Sequence, residues 1–316
     1  MKKWHGLNPN ISPTYYNLDK HLTALGWKKA YFQYGTSINT NTFAFDPKIT
    51  ETLEFKHNLA RLAQAYCPEH IPKTYVLDDN NWQNMLTIIR KTNLHQQYAY
   101  ILKPSLLNNG HGIHLFHSIW HIAEHYSCVN RLGGKHVLQH YIANPHLLSG
   151  HKYSVRLFCV LSNYMGCYLY PYGYYNVAKF PYLAYDFLDK RPHITNEHLS
   201  HDQANVIQIP SVLFENFPLI YAKMQSILKQ LICGLYQKFP VLYTNSPHKK
   251  LAIFGVDFLV DETYKVYLIE CNHGPCFPID NSHPLQKPLY NDFWNAFIQF
   301  FVMDKIHDPM FHSLSS

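Results

Sequence analysis

The stretch that most limits what this chain can fold into lies near its C-terminal end, LAIFGVDFLVDETYKVYLIECNHGPCF, from Leu251 to Phe277. Two apolar runs flank the polar tetrapeptide Asp261-Glu262-Thr263-Tyr264, a pattern that predicts an antiparallel hairpin. Closed symmetrically on those four residues, the hairpin sets Val260 opposite Lys265 and Asp257 opposite Leu268. Side chains along a strand alternate, so Glu270 and Asn272 then share a face with Asp257. Two carboxylates and an amide oxygen on one side of an apolar ribbon make a set of hard oxygen donors. Such a set suits Mg²⁺ carrying nucleotide phosphates, with phosphate and water completing the octahedron. The same residues also suit the wet face of an ordinary hairpin. The apolar flanks favour the metal, because a carboxylate inside a buried sheet is costly unless a cation or hydrogen bonds compensate.

With 316 residues, 47% of them hydrophobic, the chain can bury a full core, as one multi-lobed unit or two to three small lobes. It contains no run of about 18 apolar residues, which excludes a spanning helix. The N-terminal MKKWHGLNPN lacks the apolar region of a secretory signal. Seven cysteines without C-x-x-C spacing fit reduced thiols in a cytosol-like compartment. A net charge of +6 from scattered lysines and arginines does not indicate nucleic acid; a basic cleft receiving an acidic partner fits it as well. The 22 histidines show no zinc spacing and read as surface or packing residues.

Along the chain, Ala30 to Tyr34 looks strand-like. Leu59, Leu62, Ala63 and Tyr66 mark an amphipathic helix that starts near Glu54 and is ended by Pro68. Ile71 to Leu77 reads as a short strand and Trp82 to Lys91 as a helix. The strand Tyr98 to Pro104 carries Lys103 at its end, followed by a loop with Gly110 and Gly112 and a strand Ile113 to Phe116. A lysine before a glycine loop can cover phosphate, with backbone N–H groups approaching the anion, although an ordinary hairpin loop looks the same. After a strand from His136 to Ile142 comes a long one, Lys152 to Leu161, in which Lys152, Ser154 and Arg156 point one way and Tyr153, Val155 and Leu157 the other. This is either a half-buried anion site or an edge strand wearing cations against aggregation. A Tyr-rich loop follows Pro171-Tyr172-Gly173, then a helix from Ile220 to Leu235, the hairpin, and a terminal helix from Trp294 to Ile306.

The order of these signals is more specific than any one of them. Lys103 with Gly110-x-Gly112, Gln139, Lys152-x-x-x-Arg156, His193-Ile194-Thr195-Asn196, Asp257 and Glu270-x-Asn272 follow one another between Lys56 and Phe277. That succession resembles the tubulin tyrosine ligase-like family of ATP-grasp ligases. The resemblance implies an α+β, ATP-grasp fold with the nucleotide between two antiparallel sheets. It implies an N-terminal α/β lobe at 1–95, a central lobe at 96–145 and a C-terminal lobe at 146–316. It also implies ATP and Mg²⁺. Lys103, Gly110, Gly112, Lys152 and Asn272 would serve the nucleotide, with Gln139 and the Tyr141-Ile142 backbone at the adenine. Arg156, Thr195 and Asn196 would hold substrate, Asp257, Glu270 and Asn272 the metal, and Lys56 would reach toward phosphate. Catalysis would rest on Arg156, Lys152 and Glu270.

Three residues depart from the family's pattern. Ser154 stands in place of an aspartate, Asn176 in place of an arginine that helps bind the incoming amino acid, with Lys179 as its candidate substitute, and His273 in place of a glycine. By family chemistry a carboxylate attacks the γ-phosphate of ATP, and an amine then displaces phosphate from the acyl phosphate, each step gathering charge that cations stabilise. The glycine loop and the Tyr-rich segment at 170–185 are the expected lids. The expected activity is ligation of an amino acid, tyrosine- or glutamate-type, to a protein carboxylate on an acidic tail such as tubulin's. The alternatives are a small-molecule or peptide ligase, and a degenerate nucleotide-binding module that recognises acidic tails. A cytoplasmic monomer without nucleic-acid or membrane partners is expected, working in its own cell or delivered into another.

Overall fold

The computed structural model describes residues 2–34, 36–92, 98–196, 198–200, 203–242, 248–305 and 310–315, with the side chains at 198–200, 203 and 241 left aside. The fold is mixed α and β, built on two antiparallel sheets. The larger runs in the order Val206–Pro210, Gly166–Ala178, His151–Ser162, Leu251–Val260, Val266–His273. The smaller runs Thr74–Leu77, His136–His140, Tyr100–Pro104, His114–Phe116. It draws strands from both sides of residue 95. A third, parallel sheet of Lys28–Lys29, Lys3–His5 and Ile38–Asn39 stands at the N-terminus.

Alternation along His151–Ser162 explains the layers. Tyr153, Val155, Leu157, Cys159 and Leu161 face helices Lys56–Tyr66 and Phe217–Lys238, whose Leu59, Leu62, Ile227 and Leu231 complete the main core. On the other face the strand changes character. Phe158 and Val160 pack with Phe277, Phe293 and Trp294, while Lys152, Ser154 and Arg156 face a cavity. Polar side chains therefore cluster where the second apolar layer stops. The strand lies in the middle of the sheet, so the edge-strand reading of its cations does not hold.

Other expectations are corrected. The strand near residue 30 is only Lys28–Lys29, and the aromatics after it are exposed. The Tyr-rich stretch is no loop up to Ala178: Gly166–Ala178 is a strand of the large sheet, with Tyr170, Tyr174 and Tyr175 buried. Pro171 is accommodated because the ladder shifts register between Leu169 and Gly173, where a proline costs no hydrogen bond. The terminal helix is Asn291–Phe297, flanked by π-helical turns Gln286–Tyr290 and Ile298–Val302; Ile306 lies outside the described residues. Among the described residues no helix is long and apolar enough to cross a membrane.

The two main helices meet at Gly234, where an added Cβ would lie 2.4 Å from Tyr66 Cγ. Contact at the root of the ring is not relieved by flipping it. Gly234→Ala therefore lowers stability by about 1–2 kcal/mol, overpacking outweighing the gain in helix propensity. Chemical denaturation checks this, and a raised midpoint would show that propensity wins.

Candidate functional site

A cavity of about 350 Å³ separates the two antiparallel sheets, a volume suited to a small-molecule ligand. The small sheet and the turn after it contribute Ile101, Lys103, Gln139, Tyr141 and Ile142. The large sheet contributes Lys152, Arg156, Asn176, Asp257, Glu270 and Asn272, and the segment before residue 197 contributes His193, Thr195 and Asn196. Pro72, Ile101, Ile142, Leu259 and Ile269 give part of the wall an apolar character.

The hairpin brings its carboxylates together by a different route from symmetric closure. The ladder pairs Val260 with Val266, so the connection has one residue more than expected, Asp261 to Lys265. Asp261 Oδ1 accepts N–H groups from Thr263 and Lys265 at 2.9 and 3.0 Å, and Tyr264 takes φ 60°. Continued regularly, this register would face Asp257 with Ile269 and turn Glu270 to the helix side. Ile269 instead bulges, and Asp257 pairs with Glu270 and Gly255 with Asn272. The shared face follows, with Asp257 opposite Glu270 rather than Leu268.

Arg156 grips Asp257 from the adjacent strand. Its Nε donates to Oδ1, and its Nη2 to Oδ2 at 2.6 Å. Room for the guanidinium depends on Gly255, where a Cβ would come within 2.9 Å of Nη1. Asn272 Nδ2 donates to both carboxylates, 3.3 Å from Asp257 Oδ2 and 3.2 Å from Glu270 Oε1. Lys56 Nζ sits 3.5 Å from Glu270 Oε2 and donates to Leu107 O at 2.7 Å. Burial would raise the Glu270 carboxyl, but Lys56 and Lys103 outweigh it and hold the group at about 2. Burial raises Asp257 to about 6 against the pull of Arg156.

Four cations, Lys56, Lys103, Lys152 and Arg156, thus face two carboxylates. Burial, with Lys56 as a lesser cause, lowers Lys103 to about 8. Burial and Lys103 lower Lys152 to about 7. An anion placed beside Lys103 and Lys152 would favour their charged forms. Lys152 is also held in a relay: its Nζ donates to Tyr141 OH at 2.9 Å, and that hydroxyl meets His193 Nδ1 at 2.8 Å. His193 Nε2 lies 2.7 Å from the Asp186 carbonyl and must donate to it. Burial lowers the pKa of the ring and favours its neutral form, in which Nδ1 is the acceptor from the Tyr141 hydroxyl.

The donor set fits Mg²⁺ in kind, since carboxylate and carboxamide oxygens are its usual protein ligands. Glu270 keeps lone pairs open, whereas both Asp257 oxygens are engaged by Arg156. Each carboxylate oxygen carries two lone pairs, so Asp257 Oδ1, which accepts from Arg156 Nε, can still face a cation, whereas the Asn272 amide would have to turn its oxygen inward. Among the described residues no three His, Cys, Asp or Glu side chains gather as metal ligands.

Gly110, Gly112 and Lys179 are not among the lining residues. Asn108 and Asn109 face the cavity instead, while Gly112, at φ 68°, packs where a Cβ would meet the Pro104 ring at 2.8 Å. Its role is to shape the loop. Lys179 follows Ala178, the last residue of its strand, and is exposed, outside the cavity that Asn176 lines. Asn176 Oδ1 accepts from Gln208 Nε2 at 3.1 Å, and Ser154 Oγ accepts from Thr195 at 2.9 Å. Sequence reasoning missed Gln208, Tyr174 and the His193 relay. His193 opens the His193-Ile194-Thr195-Asn196 run, which was the available signal; Gln208 sits on a strand with no polar pattern to single it out.

Binding a polyanion restores charge to lysines that burial has partly discharged. At about pH 8 the protein therefore takes up protons when inorganic tripolyphosphate binds, and affinity falls as the pH rises through about 7–8. Calorimetry in buffers of different ionisation enthalpy measures the uptake. Lys152→Met reduces it, and an unchanged uptake would assign the protons to other groups.

A family model described as the tubulin-tyrosine ligase family matches residues 35–308, which contain all nine strands named above for the two antiparallel sheets and every lining residue of the cavity. The chain is 24% identical over 208 residues to tubulin glycylase 3C of Tetrahymena thermophila, covering 60% of this chain and 19% of that protein. It is 23% identical over 264 residues to probable tubulin polyglutamylase TTLL2 of Mus musculus, covering 75% and 46%. Probable tubulin polyglutamylase ttll-9 of Caenorhabditis elegans is 24% identical over 193 residues, covering 56% and 46%. The chain therefore spans less than half the length of each of these relatives. With a match of this extent, the chain belongs to the tubulin-tyrosine ligase family.

Proposed function

We propose that the chain is an ATP-dependent carboxylate–amine ligase that joins an amino acid to a carboxylate on an acidic protein tail. The observation that carries this reading is the buried charge pattern of the cleft, in which four cations surround two carboxylates beside an apolar wall. ATP matches it, with a flat apolar base at one end and a polyanion at the other. The similar proteins are named as tubulin glycylase and polyglutamylases, which makes tubulin-like tails the acceptors to try first.

In this reading the base lies against Ile101, Ile142 and Leu259, with Gln139 and the Tyr141-Ile142 backbone at its edge, in an ATP-grasp arrangement. Lys103 and Lys152 hold phosphates, and the Tyr141–His193 relay fixes where the Lys152 ammonium points. Mg²⁺ held by Glu270, Asn272 and Asp257 would neutralise phosphate charge and make the γ-phosphorus more electrophilic. A substrate carboxylate oxygen attacks that phosphorus as the bond to ADP breaks, giving an acyl phosphate. The amine nitrogen then attacks the acyl carbon, phosphate leaves, and the amine gives up a proton as the amide forms. Arg156 meets the charge that develops on the transferred group. Thr195 and Asn196 position substrate. The segment preceding them excludes water, tied to the small sheet by Lys190 Nζ on Ile113 O at 2.7 Å.

The row Gln208, Asn176, Ser154 carries no charge, so an uncharged amino acid, glycine or tyrosine, is expected to be used in preference to glutamate. The assay combines protein, Mg-ATP, single amino acids and tubulin or tail peptides, and reads ADP release with a mass increment on the acceptor. Glu270→Gln lowers turnover by about 10²–10³ while tail binding persists. ATP and tail binding without any increment would point to a binding module. Increments only on free amino acids or short peptides would point to a small-molecule ligase.

A further inference from the structure

The N-terminal parallel sheet leaves a group of aromatic rings in solvent. Tyr31, Phe32 and Tyr34 are 93%, 80% and 98% exposed, three large rings within four residues. Lack of interior space does not explain this, because the same small sheet and its approach bury Trp4, Trp27 and Ile38. The loop leaves strand Lys28–Lys29 and is tied down at its base, where Ala30 N–H donates to Trp4 O at 2.7 Å.

Four lysines surround that base. Lys3 pairs with Lys28 across the parallel ladder, and Lys28 N–H donates to Lys2 O. Lys2 Nζ lies 5.3 Å from the centre of the Trp27 ring, and Lys29 Nζ 5.4 Å from that of Trp4. These cation–π contacts hold two ammonium groups close to the sheet while all four lysines stay exposed. Asp19 is the acidic side chain that feels Lys29. The patch is therefore a protruding aromatic tip with a cationic collar.

We infer that the aromatic loop at 30–34 and the collar of Lys2, Lys3, Lys28 and Lys29 dock on an anionic lipid bilayer. Tyrosine and phenylalanine rings settle at the boundary between headgroups and acyl chains, and lysines at the same level meet lipid phosphates and carboxylates. Shape separates this partner from others that like aromatics and cations. An acidic peptide or a single-stranded nucleic acid is bound in a groove that tracks its backbone, and these rings stand clear of any wall. A second copy of the chain is disfavoured by its own lysines. The expectation of no membrane partner came from the lack of a spanning segment, and a surface contact needs none. The site is separate from the cleft and does not depend on the ligase reading.

The test is co-sedimentation of the full chain with vesicles of phosphatidylcholine alone and of phosphatidylcholine with phosphatidylserine. Binding is expected only to the anionic vesicles, weakening as salt rises. Replacing Tyr31, Phe32 and Tyr34 by serine, or reversing Lys28 and Lys29 to glutamate, lowers it at least about tenfold. These residues are exposed, and an unchanged denaturation midpoint shows that each variant folds. No binding by the wild type at low salt, or equal binding by both variants, overturns the inference. So does capture of polyglutamate, a single-stranded oligonucleotide or a second copy through the same residues, without vesicle binding.

Discussion

Tyr174, Arg156, Asp257 and Glu270 lie side by side on four adjacent strands of one sheet. A charge taken out of water costs several kcal/mol unless a partner faces it at good geometry. Here each charged member faces another: Arg156 grips Asp257, and Glu270 lies against Lys56 with Lys103 close by. The row forces the rest of the arrangement. The helix face of the same strands must be wholly apolar, the second apolar layer must stop short of Arg156, and the small sheet must bring Lys103 down onto the row.

The row also defines what the cleft lacks. Its carboxylates are faced by cations, whereas Lys103 and Lys152 are partly discharged by burial and by the cations beside them. Charge is missing on one side only, the negative. A ligand that supplies it competes for Arg156 and relieves Lys103 and Lys152 together, so binding and local rearrangement are expected to be one event. The tether from Lys190 to Ile113 holds the segment before residue 197 against the small sheet, and the His193 relay links that segment through Tyr141 to Lys152 of the large sheet. Anything that moves Lys152 is therefore transmitted to the segment that carries His193, Thr195 and Asn196 along the cavity.

Much of this was legible in the residues. The succession from Lys103 to Asn272 named the cleft, and alternation along Lys152 to Leu161 named which side chains enter it, because a period of two survives any error in where the strand ends. The turn length was not legible. Asp261 can close a four- or a five-residue loop with the same side-chain oxygen, and nothing local records the choice. The Tyr-rich strand hid because tyrosine suits both a buried pleat and a wet loop, and Pro171 argued for the loop. Gly110 and Gly112 promised backbone contact with an anion, yet a glycine needed for a left-handed turn against Pro104 has the same signature. Lys179 was one residue too far along, since a strand's end decides whether its last side chains point into a cavity or leave it.

The bulge at Ile269 carries a consequence for how this hairpin can vary. The five-residue turn reverses the parity of the returning strand, and the bulge reverses it again, so two irregularities of one residue each cancel. Within this sequence, a four-residue turn with the bulge kept, or a five-residue turn on a regular ladder, would turn Glu270 and Asn272 toward the helices and bring Cys271 into the cleft. A change of length is a different matter. Loss of the bulged residue alone leaves Val260 opposite Val266 and Asp257 opposite Glu270, and loss of one turn residue leaves the same pairs, so a homologue with a shorter ribbon is expected to keep both carboxylates facing one another.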